Sequence, residues 1–316
     1  MKKIMSLLTV VLVAISSLLL GGGSVQAQDE VIKIGILQHV SHVALDDTRD
    51  GFIEQMEDLL DGNVEWDIQN ANGDMSTLQS LSEKVARDND IVFAIATPAA
   101  QALATVEQEK PIFFAAVAAP LEAQLVDSME EPGRNLTGTT NLGPIEDHVE
   151  LLLELYPEAQ TIGTIYNSSE VNAEHQVKIA KEVIEAKGLE YNVKTVTNTN
   201  DISQVMTALV NESDAILLVT DNTIDSSITL VGDIAKEAGK GIIGSSDSTI
   251  LANGLATISN SYINYGKQTA DMVKRLLDED VSPAQMPVEV GNQFELIVNK
   301  DYAEAIGIDV SSLENE

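Results

Sequence analysis

Asp221 stands one residue beyond the apolar run Ala215-Ile-Leu-Leu-Val219 and is followed by Asn222. A carboxylate fixed at the end of a buried strand is placed to pair with a cationic group. The same grammar, an apolar strand, then Ser, Thr, Asn or Asp, then a helix, occurs three more times. Ile91–Ala96 leads into Thr97-Pro98, Thr161–Tyr166 into Asn167-Ser168-Ser169, and Gly241–Gly244 into Ser245-Ser246-Asp247-Ser248. Thr97 suits a helix N-cap and Pro98 the first helical position, which leaves the next backbone N–H groups without partners inside the helix. Helix starts and hydroxyls at Thr97, Ser168 and Ser169 can hold a carboxylate, while Asp221 or Asp247 can pair with an ammonium. Those are the two ends of a free amino acid. Plain helix capping accounts for Thr97, Ser168 and Ser169 as well, and an Asx turn is the alternative at Asp221 and Asp247.

The elements that position these loops alternate. Val31–Leu37 reads as a strand, followed by a loop and a helix from about Asp46 to Leu60; Val64–Gln69 is the next strand, and the helix after Gly73-Asp74 carries Leu78, Leu81 and Val85 on one face. Ile91–Ala96, Pro111–Val117 and Leu136–Thr140 continue the series. A second run of the same pattern starts at Pro144, with strands at Thr161–Tyr166, Tyr191–Val196, Ala215–Val219, Gly241–Gly244 and Leu255–Ile258. Such alternation predicts an α/β fold of two doubly wound parallel-sheet lobes, joined by a hinge of several strands. The helix Tyr262–Leu277 is placed back on the first lobe, and Phe294–Val298 forms a final strand. The expected division is residues 28–141 with about 260–284 for the first lobe, and 142–259 with about 285–316 for the second. Ligands of open parallel sheets sit outside the strand carboxyl ends, where all four polar loops converge.

Composition narrows the chemistry. With 50 acidic against 18 basic residues the formal charge is −32, which argues against nucleic acid or an anionic membrane surface as partner. There is no cysteine, so disulfides, thiolate metal sites and a cysteine nucleophile are excluded. His39, His42, His148 and His175 have no metal-ligand spacing, and neither a metal nor a cofactor is expected. Gly35 lies within the first strand and Gln38-His39-Val40-Ser41 follows it, in place of a dinucleotide-binding glycine loop; no P-loop and no nucleophile elbow is present. His42 and Asp46 fall in the first strand-end loop and read as solvated. Nothing singles out a catalytic constellation, so the chain is read as a binder and not an enzyme.

Met1-Lys2-Lys3, the apolar stretch Ile4–Leu20 and Val25-Gln26-Ala27 read as a secretory signal peptide over residues 1–27. Export to a periplasm or to the cell exterior follows. Leu20-Gly21-Gly22-Gly23 resembles a lipoprotein cleavage box with Gly23 where the lipid-bearing cysteine belongs, so no lipid can be attached there.

Gly35-Ile-Leu-Gln38, His42-Val-Ala-Leu-Asp46, Asn70-Ala-Asn-Gly-Asp-Met-Ser-Thr77, Phe93-Ala-Ile-Ala-Thr-Pro-Ala-Ala-Gln101, Tyr166-Asn-Ser-Ser-Glu170 and Thr220-Asp-Asn-Thr223 together resemble the ABC-transporter substrate-binding proteins that include tryptophan- and tyrosine-binding members. The resemblance spans nearly the whole chain beyond the leader. It implies a type I periplasmic-binding-protein fold, an aromatic amino acid closed between the lobes, a membrane permease with its ATPase as partners, and a monomer. On this reading Thr97, Ser168 and Ser169 hold the carboxylate, Asp221 with Asp247 the amine, and Asn141, Asn167 and Asn222 complete the site. A sensory module for a receptor kinase, or a site for a sugar or nucleoside, is the alternative; only 4% of the chain is aromatic, which counts against sugar stacking. Ala118-Ala119-Pro120 and Thr140-Asn141 depart from the family pattern, each removing a carboxylate near the cleft.

Overall fold

The computed structural model describes residues 31–279, 281–291 and 293–315; the leader predicted over residues 1–27 lies outside them. The first lobe is built on β1 (Ile32–Gln38), β2 (Val64–Asn70), β3 (Ile91–Ile95), β4 (Ile112–Ala115) and β5 (Leu136–Thr140), interleaved with α1 (Val43–Leu59), α2 (Met75–Asp88) and α3 (Thr97–Val106). The second lobe repeats this. It contains α4 (Ile145–Leu155), β6 (Thr161–Asn167), α5 (Val171–Ala186), β7 (Glu190–Val196), α6 (Ile202–Asn211) and β8 (Ala215–Leu218). It continues with the single turn α7 (Asn222–Asp225), then α8 (Ile228–Glu237), β9 (Ile242–Gly244), α9 (Asp247–Asn253) and β10 (Ala256–Ser259). After α10 (Tyr262–Glu279) come β11 (Glu289–Val290), β12 (Glu295–Val298) and α11 (Lys300–Ile306).

Both sheets follow the same strand order. The first has the order β11-β5-β4-β3-β1-β2 and the second β12-β10-β9-β8-β6-β7, so each reverses direction beside its first strand. That reversal opens a crevice at the carboxyl ends of β1 and β3 in one lobe and of β6 and β8 in the other. Strands buried on both faces read as unbroken apolar runs, and Ile91–Ile95 and Ala215–Leu218 are wholly buried for that reason. Each sheet carries apolar layers on both faces. In the first, the rings of Phe52 and Phe93 stack with centroids 3.9 Å apart and tie α1 to the central strand.

Two features depart from the sequence expectation. Glu289 and Val290 pair in parallel with Thr139 and Thr140, so the first lobe reaches Val290 instead of ending near residue 284. Met286 packs in the first lobe's core and its carbonyl accepts from Thr137 Oγ1 at 2.8 Å, which holds this stretch on the first sheet. Also, β12 runs antiparallel to β10. The chain therefore changes lobe after Thr140, after Ser259 and after Val290. The helix α10 does return to the first lobe. It approaches α1 so closely that a Cβ on Gly51 would stand 2.3 Å from Ile263 O, and one on Gly266 2.1 Å from Thr48 O. Only glycine fits at these two crossings.

Candidate functional site

In the first lobe, Gln38 ends β1 and is pinned by its neighbours. Its Nε2 donates to Val40 O at 2.9 Å and to Asp46 Oδ1 at 2.8 Å, and Arg49 Nη1 bridges Gln38 Oε1 and Asp46 Oδ1. Ser41 Oγ adds a 2.7 Å bond to Asp46 Oδ2. This brace fixes the turn that carries His39 and His42. Burial, the main cause in both cases, lowers the proton affinity of each imidazole; for His42 it falls to about 4, against the opposing pull of Asn222, Asp46 and Glu170. His42 is thus neutral near pH 7, and both its ring nitrogens are sealed from solvent with no hydrogen bond of good geometry, the Asn222 side chain acting on the ring only weakly. The sequence expectation of a solvated His42 is corrected.

Thr97 proves to be the first residue inside α3, with Ala96 as the N-cap at φ 78°. Ala116 and Ser245, which follow β4 and β9, also have positive φ, of 57° in each case. Three non-glycine residues in this sparsely allowed region at strand ends mark stored strain beside the crevice. Thr97 Oγ1 and Asn141 Oδ1 are buried and unpartnered, although Asn141 Nδ2 donates to Tyr262 Oη at 2.6 Å.

The second lobe is knitted differently. Glu170, which precedes α5 and is 5% exposed, accepts from Asn222 N (2.9 Å), Asn222 Nδ2 (2.6 Å), Thr223 N (3.0 Å) and Thr223 Oγ1 (2.8 Å). Asp221 caps the next turn, with Oδ1 accepting from Ile224 N at 2.9 Å and Oδ2 from Asn167 N at 2.6 Å. Asn167 Nδ2 reaches Thr223 Oγ1 at 2.8 Å, and Ser169 Oγ reaches Asn167 Oδ1 at 2.6 Å. Asp225 is buried close by, with Ser245 Oγ 2.9 Å from its Oδ1. Burial first, then the charge of Glu170, raises Asp221 well above the usual carboxylate range, and the same causes push Asp225 up to about 7.

These loops border two spaces. An inner pocket of about 10 Å³, room for a group the size of one water, is bounded by His42, Ala116, Asn141, Asp221, Asp225 and Tyr262. An outer cleft of about 360 Å³ lies between His39, Met75 and Pro98 on one lobe and Asn167, Ser169 and Glu170 on the other. Asn222 borders both. The lobes are closed over them. Ser248 Oγ of the second lobe donates to Asp47 Oδ2 of the first at 2.9 Å, and His175 Nδ1 lies 3.4 Å from Glu122 Oε1.

Of the residues chosen from sequence, Asn141, Asp221 and Asn222 meet at the inner pocket, and Asn167, Ser169 and Asn222 at the outer cleft. Thr97 is buried beside Pro98 of the cleft wall. Two are not brought in. Ser168 is exposed in the turn after β6, and its hydroxyl reaches Val196 O at 3.5 Å. Asp247 accepts from Ser248 Oγ at 3.2 Å and faces Asp47 across the seam between lobes, since Ser246 takes the capping position of α9. Glu170, His42 and Asp225 were missed. The first stands in the quoted Tyr166–Glu170 motif, three residues after the polar Asn167, and a Glu before a helix start was the available signal.

Comparison with known proteins agrees with this geometry. A tyrosine-binding protein of Clostridioides difficile (strain R20291) is 36% identical over 286 residues, 89% of this chain and 83% of that protein. The crystal structure of an ABC domain in complex with L-Trp from Streptococcus pneumonia superposes with a TM-score of 0.86 at 34% identity, covering 90% of this chain and 98% of that one. The ligand-free, open structure of a substrate binding protein with adhesive properties from Clostridium difficile, 37% identical with coverage of 90% and 98%, gives 0.68. The larger score for the complex matches the closed contacts described above. Residues 33–313 fit the family model of ABC transporter substrate binding proteins, and with these relatives the chain belongs to that family of solute binders.

Proposed function

We propose that this chain is an exported receptor for an aromatic L-amino acid, delivering it to an ABC permease and its ATPase. The observation that carries the reading is the inner pocket. Its second-lobe wall offers buried carboxylates, and Asn141 Oδ1, 6% exposed, is an acceptor with no donor. Among the described residues no Lys or Arg forms an ion pair with Glu170, Asp221 or Asp225. A ligand ammonium satisfies both deficits, and a water-sized space fits it. Thr97 Oγ1 at the start of the ten-residue helix α3 suits the carboxylate, while the outer cleft, with Met75 and Pro98, has the volume for an aromatic side chain. The tyrosine and tryptophan named for the two relatives support the aromatic class.

A thermal-shift screen of residues 28–316 against the twenty amino acids, with sugars and nucleosides alongside, tests this. Ligand at about 100 times its dissociation constant adds about 2.7 kcal/mol of stability. Selective stabilisation by tyrosine, tryptophan or phenylalanine is the expected outcome; a response to sugars or nucleosides alone would discard the reading.

A further inference from the structure

Resting on the amino-acid reading above, we infer that Asp225, and not Asp221, is the carboxylate that takes the ligand's ammonium, and that it gives up a proton in doing so. Three carboxylates lie near the inner pocket, and they differ in how much of their valence is spent. Asp221 has a backbone N–H on each oxygen, as a capping residue must. Glu170 accepts four bonds from the backbone and side chains of Asn222 and Thr223. Asp225 has Ser245 Oγ on Oδ1, with the Thr249 hydroxyl and the Asp221 backbone contributing more weakly. With one firm bond, against two on Asp221 and four on Glu170, it keeps the most acceptor capacity for the pocket it borders. The unpartnered Asn141 Oδ1 across the same pocket is the independent sign that a donor is missing there.

The surroundings make this acid hold a proton while the pocket is empty. Facing it are Glu170 at the start of α5 and Asp221 at the cap of α7, both acidic; Ser245 and Thr249, neutral, from the end of β9 and from α9; and Tyr262 of α10. His42 borders the pocket from α1, neutral, with Asp46 behind it. No cation from these elements offsets an ionised Asp225, and burial pushes it up to about 7. When the ammonium enters, the neutral carboxyl becomes a carboxylate paired with the ligand, and its proton leaves to solvent: carboxylic acid plus ammonium gives carboxylate–ammonium pair plus one free proton. No covalent bond changes other than the O–H. Affinity therefore rises with pH through this window, while the ligand's own ammonium stays protonated.

Isothermal titration with L-tyrosine, L-tryptophan and L-phenylalanine at pH 6 and pH 8, each in two buffers of different ionisation enthalpy, tests the inference on the wild type, Asp225→Asn and Asp221→Asn. The wild type is expected to bind about tenfold more tightly at pH 8 than at pH 6 and to release close to one proton per ligand at pH 6. Asp225→Asn is expected to bind at least about 30-fold more weakly at pH 8 and to lose both the slope and the proton. Asp221→Asn, which withdraws an acceptor from the Asn167 or Ile224 N–H, is expected to lose stability while still releasing the proton on binding. Folding of Asp225→Asn is checked separately: removing a carboxylate that the fold holds neutral leaves it at least as stable as the wild type at pH 8, because the wild type loses stability as pH rises from about 4 to about 7. Amino-acid binding that is flat between pH 6 and 8, or a slope that survives in Asp225→Asn, overturns the assignment and leaves the amino-acid reading standing. Binding of no amino acid at either pH overturns both.

Discussion

The two walls of the cleft are built to different degrees of completion. On the second lobe's cleft wall Asp221 accepts from Asn167 N, Glu170 accepts from Asn222 N and Thr223 N, and Asn167 Nδ2 reaches Thr223 Oγ1; Asn172 Oδ1 is unpartnered, as are Thr164 Oγ1 and Tyr191 Oη elsewhere in the lobe. On the first lobe His39 Nδ1, both nitrogens of His42, Thr97 Oγ1 and Asn141 Oδ1 are buried without partners. Each unsatisfied buried group costs about 1–3 kcal/mol until something bonds it. The second lobe is thus a finished surface on which a ligand can land, and the first is the surface that the ligand finishes. Substitutions in the network of Asn167, Glu170 and Asp221 should damage folding and binding together, whereas those on the first lobe's wall should separate them.

The largest effect is expected at Glu170. Glu170→Ala leaves the N–H groups of Asn222 and Thr223 buried without acceptors and should cost about 2–4 kcal/mol in urea unfolding, together with ligand binding. A loss under about 1 kcal/mol would mean that the second lobe's network is not what holds its loops, and the contrast between the walls would fail.

His42 sits on the other side of the comparison. Its imidazole titrates near 4 in the fold against 6.5 ordinarily, so the unfolded chain takes up the proton first as pH falls. The stability it contributes is fully present above about pH 6.5 and is lost as pH drops toward 4, by at most about 2 kcal/mol once partial exposure of the ring is allowed for. His42→Gln should flatten that part of the pH profile between 7 and 4.5 in denaturant unfolding; identical profiles for the two proteins would show the imidazole to be solvated.

The smallest and sharpest case is Thr97→Val, nearly isosteric. It removes an unpartnered hydroxyl, so the ligand-free protein should be unchanged or slightly more stable, while affinity for an aromatic amino acid falls by about 1 kcal/mol. If stability falls and affinity does not, Thr97 is a capping residue and the first wall has one less open valence.

The fold was legible because its signals are local. Ile91–Ile95 and Ala215–Leu218 are continuous apolar runs of strand length, and their spacing along the chain gave the doubly wound lobes. The edge strand Glu289–Val290 was not legible, being two residues without periodicity whose partner lies in β5. At the site, strand-end loops are visible in sequence but the direction of each side chain is not. That is why Ser168 fell on an exposed turn and Asp247 at the seam between the lobes, while their neighbours Asn167 and Ser246 are buried. Asp225 was hidden for a stronger reason. It reads as one acid in a short polar turn, and the residue that bonds it, Ser245, lies twenty positions further along.

The path of the chain between lobes governs when each can be completed. The first lobe's core includes Tyr262, Tyr265, Met272 and Met286, and its sheet ends in β11, beyond every strand of the second lobe except β12. During synthesis at about 5–20 residues per second, the interval between Thr140 and Glu289 lasts about 7–30 s. Throughout it the apolar face of α1 that α10 will cover stands open to water. The lobe whose strands emerge first is therefore still open when most of the second lobe has emerged, and the second lobe in turn waits for β12 and α11, which bring Tyr302 and Ala303 to its core.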